Sequence, residues 1–146
     1  MSEWAELYQQ VILDHSKRPR HFGKDDAATH IKEGYNPLCG DQITVYLRVK
    51  DNIITQVQFD GKGCAISVAS ASLMTQAVMG KTLQELDDLF DAFQQIVTGE
   101  GQVDEDHELA SMSGISQYPM RVKCATLCWH AVRSAVHGES DQVSTE

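Results

Sequence analysis

The chain has 146 residues, of which 42% are hydrophobic and 23% charged, and its formal net charge is −9. This length suits one domain with a single buried core, and the composition is that of a folded globular protein. The acidic excess disfavours nucleic acid and anionic membrane surfaces as partners, because it would repel both. No apolar run approaches the roughly 20 residues of a membrane span. Because Glu3 and Glu6 stand where a secretory leader would have basic residues, we expect a cytosolic protein.

The first part of the chain begins with a helical pattern and continues without one. Apolar residues recur at helical spacing over residues 2–15, which predicts an amphipathic helix. Residues 17–40 mix proline, glycine and charge without periodicity, which is typical of a loop. We therefore expect this second stretch to hold a site but no part of the core.

Two segments with the composition and alternation of β-strands follow, at residues 43–49 and 53–59. Residues 50–52 between them suit a tight turn. An antiparallel hairpin is therefore predicted.

Two helices are predicted after the hairpin. Small residues are dense from Cys64 to Gly80, which is typical of a buried helix with close neighbours. Thr82 and Glu85 have the spacing of a capping box, ahead of a second helix that should run to about Val97.

An acidic, glycine-containing excursion comes next, with a short helix expected near residues 104–112. A last helix is predicted over residues 122–136. We assign residues 1–138 to a single domain and residues 139–146 to a polar C-terminal tail.

Three of the four cysteines stand at predicted junctions between loops and regular elements. Cys39 lies in a loop, Cys64 precedes a helix, and Cys124 is expected in the first turn of the last helix, where unpaired N–H groups favour thiolate. Asp41 lies two residues after Cys39, so its carboxylate can turn toward the same point. Three thiolates and a carboxylate would suit a tetrahedral zinc ion.

The spacing of these residues does not by itself decide for a metal. Free cysteine is among the most buried residue types and no CxxC pair is present, so the pattern alone favours buried core cysteines. Cys128, four residues after Cys124, fits a small core residue. The histidines show no HxxxH spacing, and His15 would reach the site only if the first helix packed against it.

Three segments around the cysteines resemble, in order and separation, the ligand segments of a known family. They are NPLCGD, GKGCAIS and RVKCATL, and the N-terminal LYQQVILDHSKRPRHFG is similar as well. Up to His137 the chain thereby resembles the SufU/IscU (NifU N-terminal-like) family of iron–sulfur cluster assembly proteins. The resemblance implies an α+β fold, in which a small antiparallel sheet of about three strands packs against four to six helices. It also implies the metal ligands Cys39, Asp41, Cys64 and Cys124.

Within that family the chain looks more like the SufU branch. In the IscU branch a histidine directly precedes the third cysteine and a doubled proline stands upstream, whereas here Lys123 precedes Cys124 and the upstream residues are YPMR. The 60 residues from Cys64 to Cys124 accommodate the acidic excursion, and an insertion there marks the SufU branch.

The resemblance implies a zinc-dependent sulfurtransferase that accepts persulfide sulfur from a cysteine desulfurase of SufS type. Cys39 would be the acceptor and Arg121 a candidate assisting residue, with a downstream iron–sulfur scaffold or apo-protein receiving the sulfur. The alternative is an IscU-like scaffold, on which Cys39, Cys64 and Cys124 hold a transient [2Fe–2S] cluster or iron. A third hypothesis is a purely structural zinc module, which would unfold on chelation.

Overall fold

A computed structural model describes residues 3–37, 40–99, 108–137 and 142–144. Its elements, in chain order, are α1 (Glu3–Lys17), β1 (His30–Asn36), β2 (Asp41–Lys50), β3 (Ile53–Lys62), α2 (Ala65–Val78), α3 (Leu83–Thr98), a 3₁₀ helix (Glu108–Gln117), α4 (Pro119–His137) and β4 (Gln142–Ser144). Within those ranges, no helix is long and apolar enough to cross a bilayer. The predicted α+β class, with three antiparallel strands and a group of helices, is confirmed.

The sheet has the strand order β3-β2-β1-β4, in which the first three strands are antiparallel and β4 lies parallel to β1. The predicted hairpin is confirmed, and Lys50 pairs with Ile53 across a turn of two residues. Those residues, Asp51 and Asn52, have φ angles of 53° and 67°. Positive φ at both central positions is the geometry of a type I′ turn, which matches the twist of antiparallel strands.

The predicted loop at residues 17–40 was wrong for its last part, because β1 forms there. Lys32, Gly34 and Asn36 face inward along β1 and are buried. Since none of these side chains is apolar, the alternation that marks a half-buried strand is absent from the sequence. A Cβ atom on Gly34 would lie 3.0 Å from Leu127 Cδ1, so the missing side chain allows α4 to pack closely on β1.

The hydrophobic core lies between the sheet and the helices α2 and α4, which pack against each other and against the strands. α1 covers α2, and α3 packs on α4 and the 3₁₀ helix. Phe93 of α3 stacks on the fully buried Trp129 of α4, with ring centroids 4.8 Å apart. These contacts fix α4, which carries one of the predicted ligands.

The remaining boundaries differ from the sequence predictions in part. A 3₁₀ helix occupies Glu108–Gln117, whereas the predicted helix near residues 104–112 lies partly outside the described residues. The division into a domain of residues 1–138 and a tail stays a prediction, although Gln142–Ser144 lies beside β1.

The predicted capping box at the start of α3 is confirmed and gives a direct test of the fold. Thr82 Oγ1 accepts a hydrogen bond from the Glu85 N–H at 3.1 Å, and Glu85 Oε1 accepts one from the Thr82 N–H at 3.0 Å. Thr82→Ala should therefore lower the free energy of unfolding by about 1 kcal/mol, measured by urea denaturation. Thr98→Ala is the control, because its hydroxyl donates only to the Gln94 and Gln95 carbonyls of the same helix. Equal losses in the two variants would contradict a capping role.

Candidate metal centre

Asp41, Cys64 and Cys124 converge on one point although they belong to different parts of the fold. Asp41 begins β2, Cys64 directly precedes α2, and Cys124 lies in α4. One ligand atom of each lies within 4.8 Å of the others. Zinc–sulfur bonds of about 2.3 Å at tetrahedral angles would place neighbouring sulfurs about 3.8 Å apart, so shifts of roughly 1 Å would complete the site. These three side chains can therefore hold one metal ion.

Cys39, the fourth predicted ligand, lies outside the described residues, so its ligand role stays a prediction. Residues before and after it in the chain are nevertheless described. Asn36 and Asp41 are paired residues at the ends of β1 and β2, and Cys39 belongs to the connection between them.

The Asp41 carboxylate is fully buried and held on both oxygens. Oδ1 accepts a hydrogen bond from the Cys64 N–H at 2.9 Å, and Oδ2 accepts one from Asn36 Nδ2 at 3.3 Å. A Cβ atom on Gly63 would lie 2.6 Å from Oδ1, which explains a glycine directly before Cys64. A buried carboxylate beside two cysteines is costly without a cation, so this set of donor groups fits a divalent metal.

Cys64 has the position that its sequence context predicted, at the junction of a loop and a helix. It is the N-cap residue of α2, with φ −68° and ψ 165°, and its side chain makes no capping hydrogen bond. Its side chain is half-buried. The positive end of the α2 dipole therefore lies at this side chain.

The prediction that Cys124 lies in the first turn of the last helix was wrong. α4 begins at Pro119, a residue suited to the first helical position, so Cys124 lies in the second turn and is fully buried. The unpaired N–H groups in the first turn of the helix therefore do not donate hydrogen bonds to the Cys124 sulfur. Asn36 Nδ2 lies 3.5 Å from Cys124 Sγ and donates to it instead.

Arg121 lies in the first turn of α4 with its side chain directed to the two cysteines. Electrostatic attraction by Cys64, together with guanidinium hydrogen bonds to Cys124 and Cys64, raises the pKa of Arg121 above its usual value. The residue is otherwise exposed. It thus brings a permanent positive charge to the solvent side of the cluster of Asp41, Cys64 and Cys124.

Asn36 was missed as a site residue by the sequence reasoning, although it opens the NPLCGD motif. Its side chain is fully buried and donates to both Asp41 and Cys124. Sequence could have shown its proximity to Asp41, but its contact with Cys124 depends on how α4 packs against the sheet.

Cys128 and His15 do not belong to the cluster of Asp41, Cys64 and Cys124. Cys128 is a buried core residue, as predicted, and burial raises the pKa of its thiol to about 12. His15 is buried between α1 and α2, with Nδ1 2.7 Å from Ser72 Oγ. Ser72 lies eight residues beyond Cys64, which corresponds to roughly 12 Å along a helix.

Comparison with known proteins shows the family to which the chain is related. A profile of the NifU-like N-terminal domain matches residues 7–137. The chain is 38% identical over 138 residues to the iron-sulfur cluster assembly scaffold protein IscU of Streptococcus pyogenes serotype M1, covering 93% of this chain and 86% of that protein. It is also 38% identical over 136 residues to the zinc-dependent sulfurtransferase SufU of Bacillus subtilis strain 168, covering 91% of each.

A solved structure agrees with these sequence relationships. The N-terminal part of a nitrogen-fixing NifU-like protein from Brucella abortus superposes with a TM-score of 0.81 at 25% identity, covering 93% of this chain and 96% of that one. The predicted resemblance is confirmed, while overall identity does not separate the IscU type from the SufU type. The chain belongs to the family of NifU-like N-terminal domains.

Proposed function

We propose that this protein is an iron–sulfur cluster assembly protein of SufU type, a zinc-dependent sulfurtransferase that accepts persulfide sulfur from a cysteine desulfurase. The observation that carries the proposal is the convergence of Asp41, Cys64 and Cys124 beside the guanidinium of Arg121. Lys123, in place of the histidine that precedes the third cysteine in the IscU branch, supports the SufU type.

Asp41, Cys64 and Cys124 would hold the zinc ion, with Cys39 as the fourth ligand. Bound zinc would keep the cysteines as thiolates at neutral pH. The buried carboxylate of Asp41 is already oriented by the Cys64 N–H, so little reorganisation is needed on that side. Thiolates in such an electron-rich site remain nucleophilic.

The burial of Cys124 and the fixed backbone of Cys64 argue against either of these two cysteines as the acceptor. Cys124 is fully buried within α4 and cannot meet a sulfur atom carried by another protein. Cys64 is half-buried, and its backbone is fixed by the start of α2 and by Asp41. Cys39 belongs to the connection between β1 and β2, flanked by Gly40, so it is the acceptor in this proposal.

The transfer itself needs no external oxidant. The Cys39 thiolate attacks the outer sulfur of the partner's persulfide, and a new S–S bond forms as the donor's S–S bond breaks. The donor cysteine leaves as a thiolate, and Cys39 now carries the persulfide. Arg121 would stabilise the negative sulfur by charge-assisted hydrogen bonds, because its guanidinium lies near Cys64 and Cys124.

The test uses a purified cysteine desulfurase of SufS type, with turnover measured in the presence of wild-type protein or Cys39→Ala. We expect wild-type protein to stimulate turnover and the variant to leave it at the basal rate, because the acceptor sulfur is gone. Mass spectrometry should find one added sulfur atom on the peptide that contains Cys39. Cys128→Ala is the matched control and should stimulate like wild type. Full stimulation by Cys39→Ala would overturn the acceptor role.

The second candidate is a scaffold on which Cys39, Cys64 and Cys124 hold a [2Fe–2S] cluster, and the relatedness to IscU proteins favours it. Anaerobic reconstitution with iron and sulfide separates the two functions. A stable cluster that passes to an apo-protein, without any effect on desulfurase turnover, would favour the scaffold. Zinc in protein purified without added metal, together with stimulated turnover, supports sulfur transfer.

A further inference from the structure

Asn36 occupies a position from which one side chain can control several parts of the metal centre. It is the last residue of β1, and its partner in the antiparallel register is Asp41, the first residue of β2. The connection that contains Cys39 begins and ends at this pair.

The amide of Asn36 contacts two of the proposed metal ligands at once. Its Nδ2 donates to Asp41 Oδ2 at 3.3 Å and to Cys124 Sγ at 3.5 Å. An amide nitrogen carries two N–H groups, so each ligand can receive one of them. Because the amide is neutral, it orients both anionic ligands and leaves the charge that attracts a cation unchanged.

The packing around Asn36 shows why the amide reaches a residue of α4. Gly34, two residues earlier on the same face of β1, has no side chain where Leu127 approaches within 3.0 Å of a virtual Cβ. α4 therefore lies close to β1, which places Cys124 over Asn36. Asn36 is fully buried, so these hydrogen bonds do not compete with bulk water.

We propose that Asn36 is a positioning residue, which holds Asp41 and Cys124 in the geometry that binds the metal. The role rests on the metal centre of the proposed function but not on sulfur transfer. Groups that hydrogen bond to metal ligands orient them and tune their basicity, and their loss typically lowers metal affinity roughly 10–100-fold.

The test compares wild-type protein with Asn36→Leu, in which an apolar side chain of similar size removes both donors. Zinc affinity is measured by competition with a chromophoric chelator, and coordination by the absorption spectrum of the Co²⁺-loaded protein. We expect the zinc Kd to rise roughly 10–100-fold and the Co²⁺ bands to shift. Thr75→Val is the matched control: Thr75 is also buried and bonded, at 3.0 Å from His21 Nδ1, but it contacts no ligand. It should leave both measurements unchanged.

A merely structural role for Asn36 predicts a different result. The variant would then lower the unfolding temperature equally with and without zinc, and the zinc Kd and the Co²⁺ spectrum would match wild type; this result overturns the proposal. Asn36→Ala provides the same comparison if leucine prevents folding. Wild-type protein that binds zinc without stimulating a desulfurase would overturn the sulfur-transfer function alone. Wild-type protein that binds no metal would overturn both.

Discussion

Gly61→Ala should destabilise the fold by about 3 kcal/mol or more, the combined cost of backbone strain and of a steric clash. Gly61 has a φ of +130°, which side-chain-bearing residues rarely adopt. It pairs with Ile43 in the β2–β3 ladder, and a Cβ atom would lie only 2.0 Å from the carbonyl oxygen of Gln42. Because that oxygen belongs to the backbone, relief requires separating the two strands. Urea denaturation followed by circular dichroism measures the loss.

Gly80→Ala is the matched control for this prediction. Gly80 also has a positive φ, +82°, but nothing lies within 4 Å of a Cβ atom placed there. Its replacement should therefore cost only about 1 kcal/mol, from backbone strain alone. A loss at Gly61 no greater than at Gly80 would show that close approach of the strands does not require the glycine. A larger loss would indicate that the strand end next to Asp41 depends on it.

The turn between β2 and β3 and the cap of α3 were predicted correctly, because each is determined by residues that are close together in the chain. Asn52 with the preceding Asp51 favours a turn with positive φ, and the strands meet across those two residues. Thr82 and Glu85 cap α3 through hydrogen bonds between residues only three positions apart in the chain. These features do not depend on the rest of the fold.

The features that sequence did not predict depend on packing between distant elements. β1 has Lys32, Gly34 and Asn36 on its buried face, so its pairing with β2 could not be inferred from hydrophobic alternation. Burial of Cys124 follows from the start of α4 at Pro119 and from its contact with the sheet.

At the candidate metal centre, too, the spacing of residues in the chain was not enough to predict which cysteines come together. Spacing alone favoured buried cysteines, and two of the three cysteines that the structure describes, Cys124 and Cys128, are indeed fully or almost fully buried. Only one of these two lies beside Asp41 and Cys64, and the distinction depends on which way each faces from α4. The resemblance to a known family supplied this distinction, because ligand identity is fixed by a three-dimensional arrangement that spacing does not encode.

Cys124→Ala and Cys128→Ala test that distinction directly, since the two thiols lie one helical turn apart on α4. Cys124→Ala removes a proposed ligand, so zinc affinity should fall by more than the roughly 10–100-fold typical of losing a residue that only hydrogen bonds to a ligand. Zinc at 100 times its Kd stabilises a protein by about 2.7 kcal/mol, and this increment should disappear in Cys124→Ala. Zinc titration and thermal unfolding with and without the metal measure both effects.

Cys128→Ala should give the opposite pattern. Its sulfur lies in the core near Ser70 Oγ, at 3.6 Å, and burial keeps the thiol protonated. Removing it should cost about 1 kcal/mol in packing, equally with and without zinc, and leave the zinc Kd unchanged. If instead Cys128→Ala lost zinc while Cys124→Ala retained it, the cluster of Asp41, Cys64 and Cys124 would not be the metal centre. The pair of variants therefore separates a ligand from a core residue without reference to any partner protein.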